Sequence, residues 1–272
     1  MIIFIASKVD VAGLNIADKL IKLFGFRKGD EEIFGNPSYS LRLSNSEEAK
    51  LAFIDDEPVN AQNLPYPKGA RMIVFISRHS SRSGTPTLSV HTPGNIGDAA
   101  LGGVPRKVSI APASAMKAAL IEMRRARDEM GLPYEVSYEC THHGPSLDIP
   151  AMFVELGSSP EQWSDSRAAE AVARGAMAAA TNDRVYRTVI GFGGQHYNEK
   201  FTRIALESDI AFGHMVPKYA LSELDEDMLK QCVDRVVERV EAAYLDWKGI
   251  RGSDKEPLIR LLRSIGIRIE KV

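Results

Sequence analysis

The chain has 272 residues, 44% apolar and 26% charged, with a formal net charge of −2. That length suits one large α/β domain or two small ones, and the near-neutral balance argues against a protein that coats nucleic acid by charge alone. No run of eighteen apolar residues marks a membrane span, and the opening Met1 to Asp10 lacks signal-peptide features. Cys140 and Cys232 form no disulfide framework or four-cysteine zinc site, so the cytoplasm is the expected compartment.

In chain order, Ile2 to Ala6 is a buried strand, and Asp10 caps a helix with Val11, Leu14, Leu20 and Ile21 at apolar positions. Residues 27–48 are turn-rich and resist assignment. Leu51 to Ile54, Met72 to Ile76 and Leu88 to Thr92 read as strands. Residues 112–130 form a helix with Met116, Leu120 and Met123 on one stripe. Tyr134 to Thr141 alternates like a strand, and Met152 to Leu156 is another. Ser159, Pro160 and Gln162 have N-cap, N1 and N3 spacing and start an alanine-rich helix running to about Ala180. Val185 to Phe192 and Ile210 to His214 are strands. A long amphipathic helix is expected over 225–244, then a last helix and strand. Alternating strands and helices with no linker predict one α/β domain over 1–272, its sheet covered on both faces.

The six histidines, His79, His91, His142, His143, His196 and His214, each fall at or just past the end of a predicted strand. In α/β sheets, ligands bind beyond the carboxyl ends of strands. If the strand before His142 continued, His142 and His143 would point to opposite faces. Gly144-Pro145 should end it and let both rings converge. Glu155 interrupts an apolar strand and needs a partner: a histidine, an arginine or a metal. Ser77-Arg78-His79-Ser80-Ser81 gathers a cation, an imidazole and hydroxyls. Without a G-x-S-x-G elbow a serine nucleophile is disfavoured, and Arg78 and Arg82 suit a phosphate. His91 is followed by Gly94-Asn95. Gly191-Phe192-Gly193-Gly194-Gln195-His196 fails the dinucleotide spacing, so its glycines are expected to admit substrate with His196 at the rim. His214, after Gly213, is read as structural in preference to functional.

These segments together resemble the D-aminoacyl-tRNA deacylase family of the archaeal and plant type. The resemblance is carried by Ala6-Ser7-Lys8-Val9-Asp10, Ser77 to Ser81, His91 with Gly94-Asn95, Thr141 to Pro145, Glu155 to Ser159 with Trp163, Gly193-Gly194 with His196-Tyr197, Phe212-Gly213-His214 with Lys218-Tyr219, and Asp246 to Gly249. It implies a phosphorylase/hydrolase-like three-layer α/β/α sandwich with a mostly parallel or mixed sheet. It also implies a zinc requirement and hydrolysis of D-aminoacyl-tRNA to D-amino acid and tRNA. No membrane or stable protein partner is implied, and a monomer is expected.

Ligands and catalytic groups are expected among His79, His142, His143, Glu155 and His196. Substrate contacts are expected from Arg78, Ser80, Ser81, His91, Asn95, Gly193, Gly194 and Lys218. Whichever of Glu155 and His143 is not a ligand would take the proton of the attacking water, and Asn95 or loop N–H groups would hold the oxyanion. Lys248, Arg251 and Lys255 form one expected phosphate patch. Rival expectations are a zinc peptidase or amidohydrolase, a phosphorylase-like enzyme, and a non-catalytic RNA-binding module. The last lacks an evident aromatic stacking platform.

Overall fold

A computed structural model describes residues 1–44 and 46–272. The chain runs from β1 (Ile2–Ser7) through α1 (Val11–Phe24) to β2 (Arg27–Ile33), β3 (Asn36–Arg42) and β4 (Glu48–Ile54). It continues through β5 (Met72–Arg78), β6 (Thr87–His91), β7 (Gly94–Asn95) and β8 (Lys107–Val108) into α2 (Ala113–Met130). Next come β9 (Glu135–Tyr138), β10 (Ala151–Gly157), α3 (Pro160–Trp163) and α4 (Ser166–Thr181). The chain ends with β11 (Arg187–Phe192), α5 (Glu199–Glu207), β12 (Ile210–Val216), α6 (Glu226–Asp234), β13 (Val240–Leu245), α7 (Gly252–Ser264) and β14 (Ile269–Lys271).

Among the described residues, an eight-stranded mixed sheet has the order β2-β3-β4-β1-β5-β10-β6-β9, and an all-parallel sheet has the order β12-β11-β13-β14. The expected mixed α/β architecture is present. Alternation divides the large sheet into two faces. Phe4, Val74, Ile76, Val154 and Leu156 point to one face, packed by α1, α2 and α4. Ile5, Phe75, Ala151 and Phe153 point to the other, covered by a 3-10 turn at Pro58–Asn63 and by loops. The alanine run of α4 does allow close packing: a Cβ on Gly175 would fall 2.5 Å from Cγ of Met123 in α2.

The structure corrects several expected elements. The turn-rich 27–48 stretch holds the β2–β3 hairpin, whose seven-residue strands lie at the sheet edge; Asn45 lies outside the described residues. The helix expected from Ser159 to Ala180 breaks at Ser164, where Asp165 accepts from the backbone N–H groups of Arg167 and Ala168 and starts α4 afresh. The long helix over 225–244 is a nine-residue α6 followed by a strand. Val236 bridges to Ala111, and β13 pairs with β11 and β14. The β-branched Val236, Val237 and Val240 favour extended backbone, and pairing with a waiting sheet outweighs the helical periodicity. Strand β9 ends at Tyr138, short of the expected Thr141, and β12 continues beyond His214 to Val216.

Candidate active site

The site lies on the face of the large sheet opposite its helices. Strands β5 and β10 are parallel with Glu155 beside Ser77, and β6 runs antiparallel to β10 with His91 beside Phe153. Glu155, Ser77 and His91 therefore continue the apolar face of Phe75 and Phe153 and form a polar floor where those strands meet. The buried Glu155 has the partners its position demands. Ser77 Oγ donates to its Oε1 at 2.7 Å, His79 Nδ1 lies 3.3 Å from its Oε2, and His91 Nε2 lies 3.6 Å from the same oxygen. Ser77 thus donates to a carboxylate and has no histidine base, in keeping with the absence of a serine-nucleophile motif.

After β9 the chain leaves the sheet and is laced to three neighbours. Cys140 N–H donates to His196 O, Thr141 N–H to Met215 O, and Gly94 N–H to the carbonyls of both His142 and His143. His143 has φ of +35°, a conformation L residues rarely adopt. The expected convergence follows: the rings of His142 and His143 lie 4.4 Å apart, and that of His142 lies 4.2 Å from His91 and 4.3 Å from His196. Four histidines line a cavity of about 520 Å³, and His91 lies buried against His142 and His143. The cavity is lined by the polar His79, His142, His143, His196 and Glu155 and by the apolar Pro58, Val59, Leu101 and Phe153. His214 stands apart, its Nδ1 3.1 Å from Thr141 Oγ1 and its Nε2 3.0 Å from Arg235 O, so it is a structural ring.

Sequence reasoning missed Glu139. Its carboxylate is fully buried, 3.0 Å from His79 Nδ1, 2.9 Å from His196 Nε2 and 3.6 Å from His142 Nε2. The signal was its parity with His143 in the alternating run, but without the pairing of Val90 with Tyr138 nothing placed it beside His91. Tyr197 was also missed; its hydroxyl makes a short contact with His79 Nε2. Burial alone would raise the pKa of Glu139 and Glu155. The neighbouring imidazoles, His196 and His79 at the first and His79 and His91 at the second, outweigh it and hold both as carboxylates. Burial, reinforced by the neighbouring imidazoles, drives His142 well below its usual range and His143 to about 4.

The donor set fits a cation. Nδ1 of His91, His142 and His143 faces the carbonyl of Thr92, Cys140 and Gly144 respectively. A carbonyl accepts only from an N–H, so a neutral ring in each of these positions presents Nε2 as a lone pair. His91 Nε2 and Glu139 Oε1 are buried without a well-aligned hydrogen bond, although Glu155 Oε2 lies 3.6 Å from the first and His79 Nδ1 3.0 Å from the second. The trios His91–His142–His143, Glu139–His142–His196 and His79–Glu139–Glu155 each bring three ligand atoms within 4.8 Å of one another.

The expected substrate contacts divide. Arg78 and Ser80 line the cavity, with Arg78 paired to Glu57 at 2.6 Å, whereas the Ser81 hydroxyl faces Ser83. His91 is fully buried in the floor. The Asn95 amide donates to the carbonyls of Gly102 and Val104, so it closes a loop and does not face the cavity. Gly193 and Gly194 have positive φ and pack against protein atoms: a Cβ would fall 2.6 Å from Ile250 Cγ1, in the segment after β13, or 2.7 Å from Asn198 Nδ2. The Lys218 N–H donates to Gly194 O, which ties its turn to the loop carrying His196.

The model of the D-aminoacyl-tRNA deacylase family matches residues 66–270. The chain belongs to that family. It is 39% identical to the D-aminoacyl-tRNA deacylase of Pyrococcus furiosus over 276 residues, covering all of both chains, and 40% identical to that of Thermococcus kodakarensis, covering 98% of each. The crystal structure of AF0625, a conserved protein of unknown function, superposes with a TM-score of 0.88 at 30% identity, covering all of this chain and 95% of that one. The histidine and glutamate cluster falls wholly within the family match, while the cavity-lining Asp10, Pro58 and Val59 lie outside it.

Proposed function

We propose that the protein hydrolyses the ester between a D-amino acid and the terminal ribose of tRNA, releasing both. The observation that carries this reading is a cavity of about 520 Å³ lined by the imidazoles of His142 and His143, which burial holds neutral, by the Glu155 carboxylate and by the apolar Pro58, Val59, Leu101 and Phe153, with the Glu139 carboxylate buried against His79 and His196. The Nε2 atoms of His91, His142 and His143 would hold a zinc ion, a common catalytic ligand set. Zinc bound there supplies Lewis acidity toward the carbonyl and makes water more acidic. Glu155 accepts the proton of the attacking water at Oε2, while Ser77 and His79 fix its carboxylate. Glu139 orients His196 and His79. Pro58, Val59, Leu101 and Phe153 hold the amino-acid side chain by apolar contact, which suits tolerance of many D side chains.

The test is release of tyrosine from paired D- and L-tyrosyl-tRNA, with and without chelator. Expected are turnover of the D form alone, loss on chelation and recovery with zinc. E155A should lose about 100-fold or more in kcat, the scale of a lost general base. Near-normal turnover by E155A and by H143A, both folded, would remove them from the chemistry. Peptide cleavage without ester cleavage would favour a peptidase.

A further inference from the structure

Tyr219 is the one exposed aromatic residue among those described, with 53% of its surface open; every other Phe, Tyr and Trp is buried or half-buried. It sits at the cavity. Its hydroxyl lies 3.1 Å from His196 Nδ1, while His196 Nε2 lies 2.9 Å from Glu139. His196 Nε2 thus faces the Glu139 carboxylate and its Nδ1 faces the Tyr219 hydroxyl. The hydroxyl is therefore engaged and the ring left open. The hydroxyl is held by His196 while 53% of the residue's surface stays open, so the side chain offers an uncovered face beside the histidine cluster.

The surroundings supply cations. Lys218 precedes Tyr219, and its backbone N–H donates to Gly194 O. Gly194 N–H in turn donates to Gly249 O, which joins the turn carrying the exposed Lys248 and Arg251 to the same loop. The other nearby aromatics are covered. Lys271 lies 3.7 Å and Lys255 4.5 Å from the Trp247 ring, and Arg78 lies 5.5 Å from that of Trp163. An open ring flanked by flexible cations suits an unpaired nucleotide, with a base on the ring and phosphates on the cations.

We infer that Tyr219 is the platform on which a base of the substrate's unpaired 3′ end stacks, with Lys218, Lys248 and Arg251 holding the adjoining phosphates. This rests on the reading that the substrate is an aminoacyl-tRNA. The stack fixes where the terminal ribose enters the cavity, and the Tyr219 hydroxyl positions His196.

The experiment measures binding of the trinucleotide CpCpA, an unacylated probe independent of turnover, alongside KM and kcat on D-tyrosyl-tRNA. For Y219L, CpCpA affinity should fall and KM rise by about tenfold, the scale of one lost base stack. Y219F keeps the ring and should bind CpCpA within about twofold of wild type, with the loss appearing in kcat. R251Q should flatten the dependence of binding on salt by about one charge. No binding of CpCpA by wild type, unchanged binding by Y219L, or equal weakening in Y219L and Y219F would each overturn the platform. Failure to cleave D-tyrosyl-tRNA with CpCpA binding intact would sink the functional reading and leave the platform standing.

Discussion

His79 and His214 are both buried, yet their surroundings push them in opposite directions. Burial disfavours the charge on each, but hydrogen bonds to Glu139 and Glu155 reverse the balance at His79. His214 has no carboxylate partner, only Thr141 and the backbone of Arg235 and Ser109, and burial lowers it to about 4. An unfolded His214 titrates near 6.5, so below that pH the unfolded chain binds the extra proton. The His214 contribution is whole above about pH 6.5 and is lost as pH falls toward 4. Urea titrations of wild type and H214N at pH 7 and pH 5 should show wild type losing more stability between them, and H214N weaker by about 1–3 kcal/mol at pH 7 for the partner left unsatisfied. An equal acid sensitivity in both would mean His214 is not held neutral. At Glu139, the change E139Q keeps shape and removes charge, and kcat/KM should fall about 10- to 100-fold, as for groups that orient ligands. Turnover within twofold of wild type would remove Glu139 from the site.

At the scale of elements, legibility followed how local the cause was. Asp10 could be read as a cap because the whole signal lies within four residues, and its side chain does accept from Gly13 N–H. Its second oxygen, which accepts from Arg78 N–H at 2.7 Å and ties α1 to the end of β5, depends on a partner 68 residues away and left no local trace. The same limit hid the β13 strand, whose apolar spacing suits a helix until the parallel sheet is known, and it hid Glu139. The break at Ser164 is intermediate: Asp165 is a good capping residue, but Pro160 five residues before it offered an equally good start. Asp165 accepts two backbone N–H bonds and also the Tyr134 hydroxyl at 3.0 Å, joining α4 to the entry of β9. D165A should therefore cost about 1–2 kcal/mol, the upper range for a lost cap, with kcat little changed because the cap lies outside the cavity lining. A urea midpoint equal to wild type would show that Ser164 or water replaces the cap.

The whole molecule assembles its site from two sheets. His79, His91 and Glu155 stand on or at the end of the large sheet, His196 follows β11 of the parallel one, and Glu139, His142 and His143 lie on the segment crossing between. Alignment of the two halves to within a few tenths of an ångström decides whether the imidazoles meet, and the crossing is held largely by backbone bonds. Asn198 is the side chain on which that alignment converges. Its backbone N–H donates to Tyr138 O, its Nδ2 donates to Gly193 O at 2.9 Å, and its Oδ1 accepts from Phe201 N–H at 3.0 Å, capping α5 two residues after His196. N198A leaves the Gly193 carbonyl and the Phe201 N–H without partners and should cost about 2–3 kcal/mol. If the argument from two halves is right, activity should fall further than stability predicts: at a temperature where the variant is still folded by circular dichroism, kcat should be down about tenfold or more. A variant that loses stability but keeps full kcat while folded would mean that His196 is placed by its own bonds to Glu139 and Tyr219, with the loop serving only to hold the chain together.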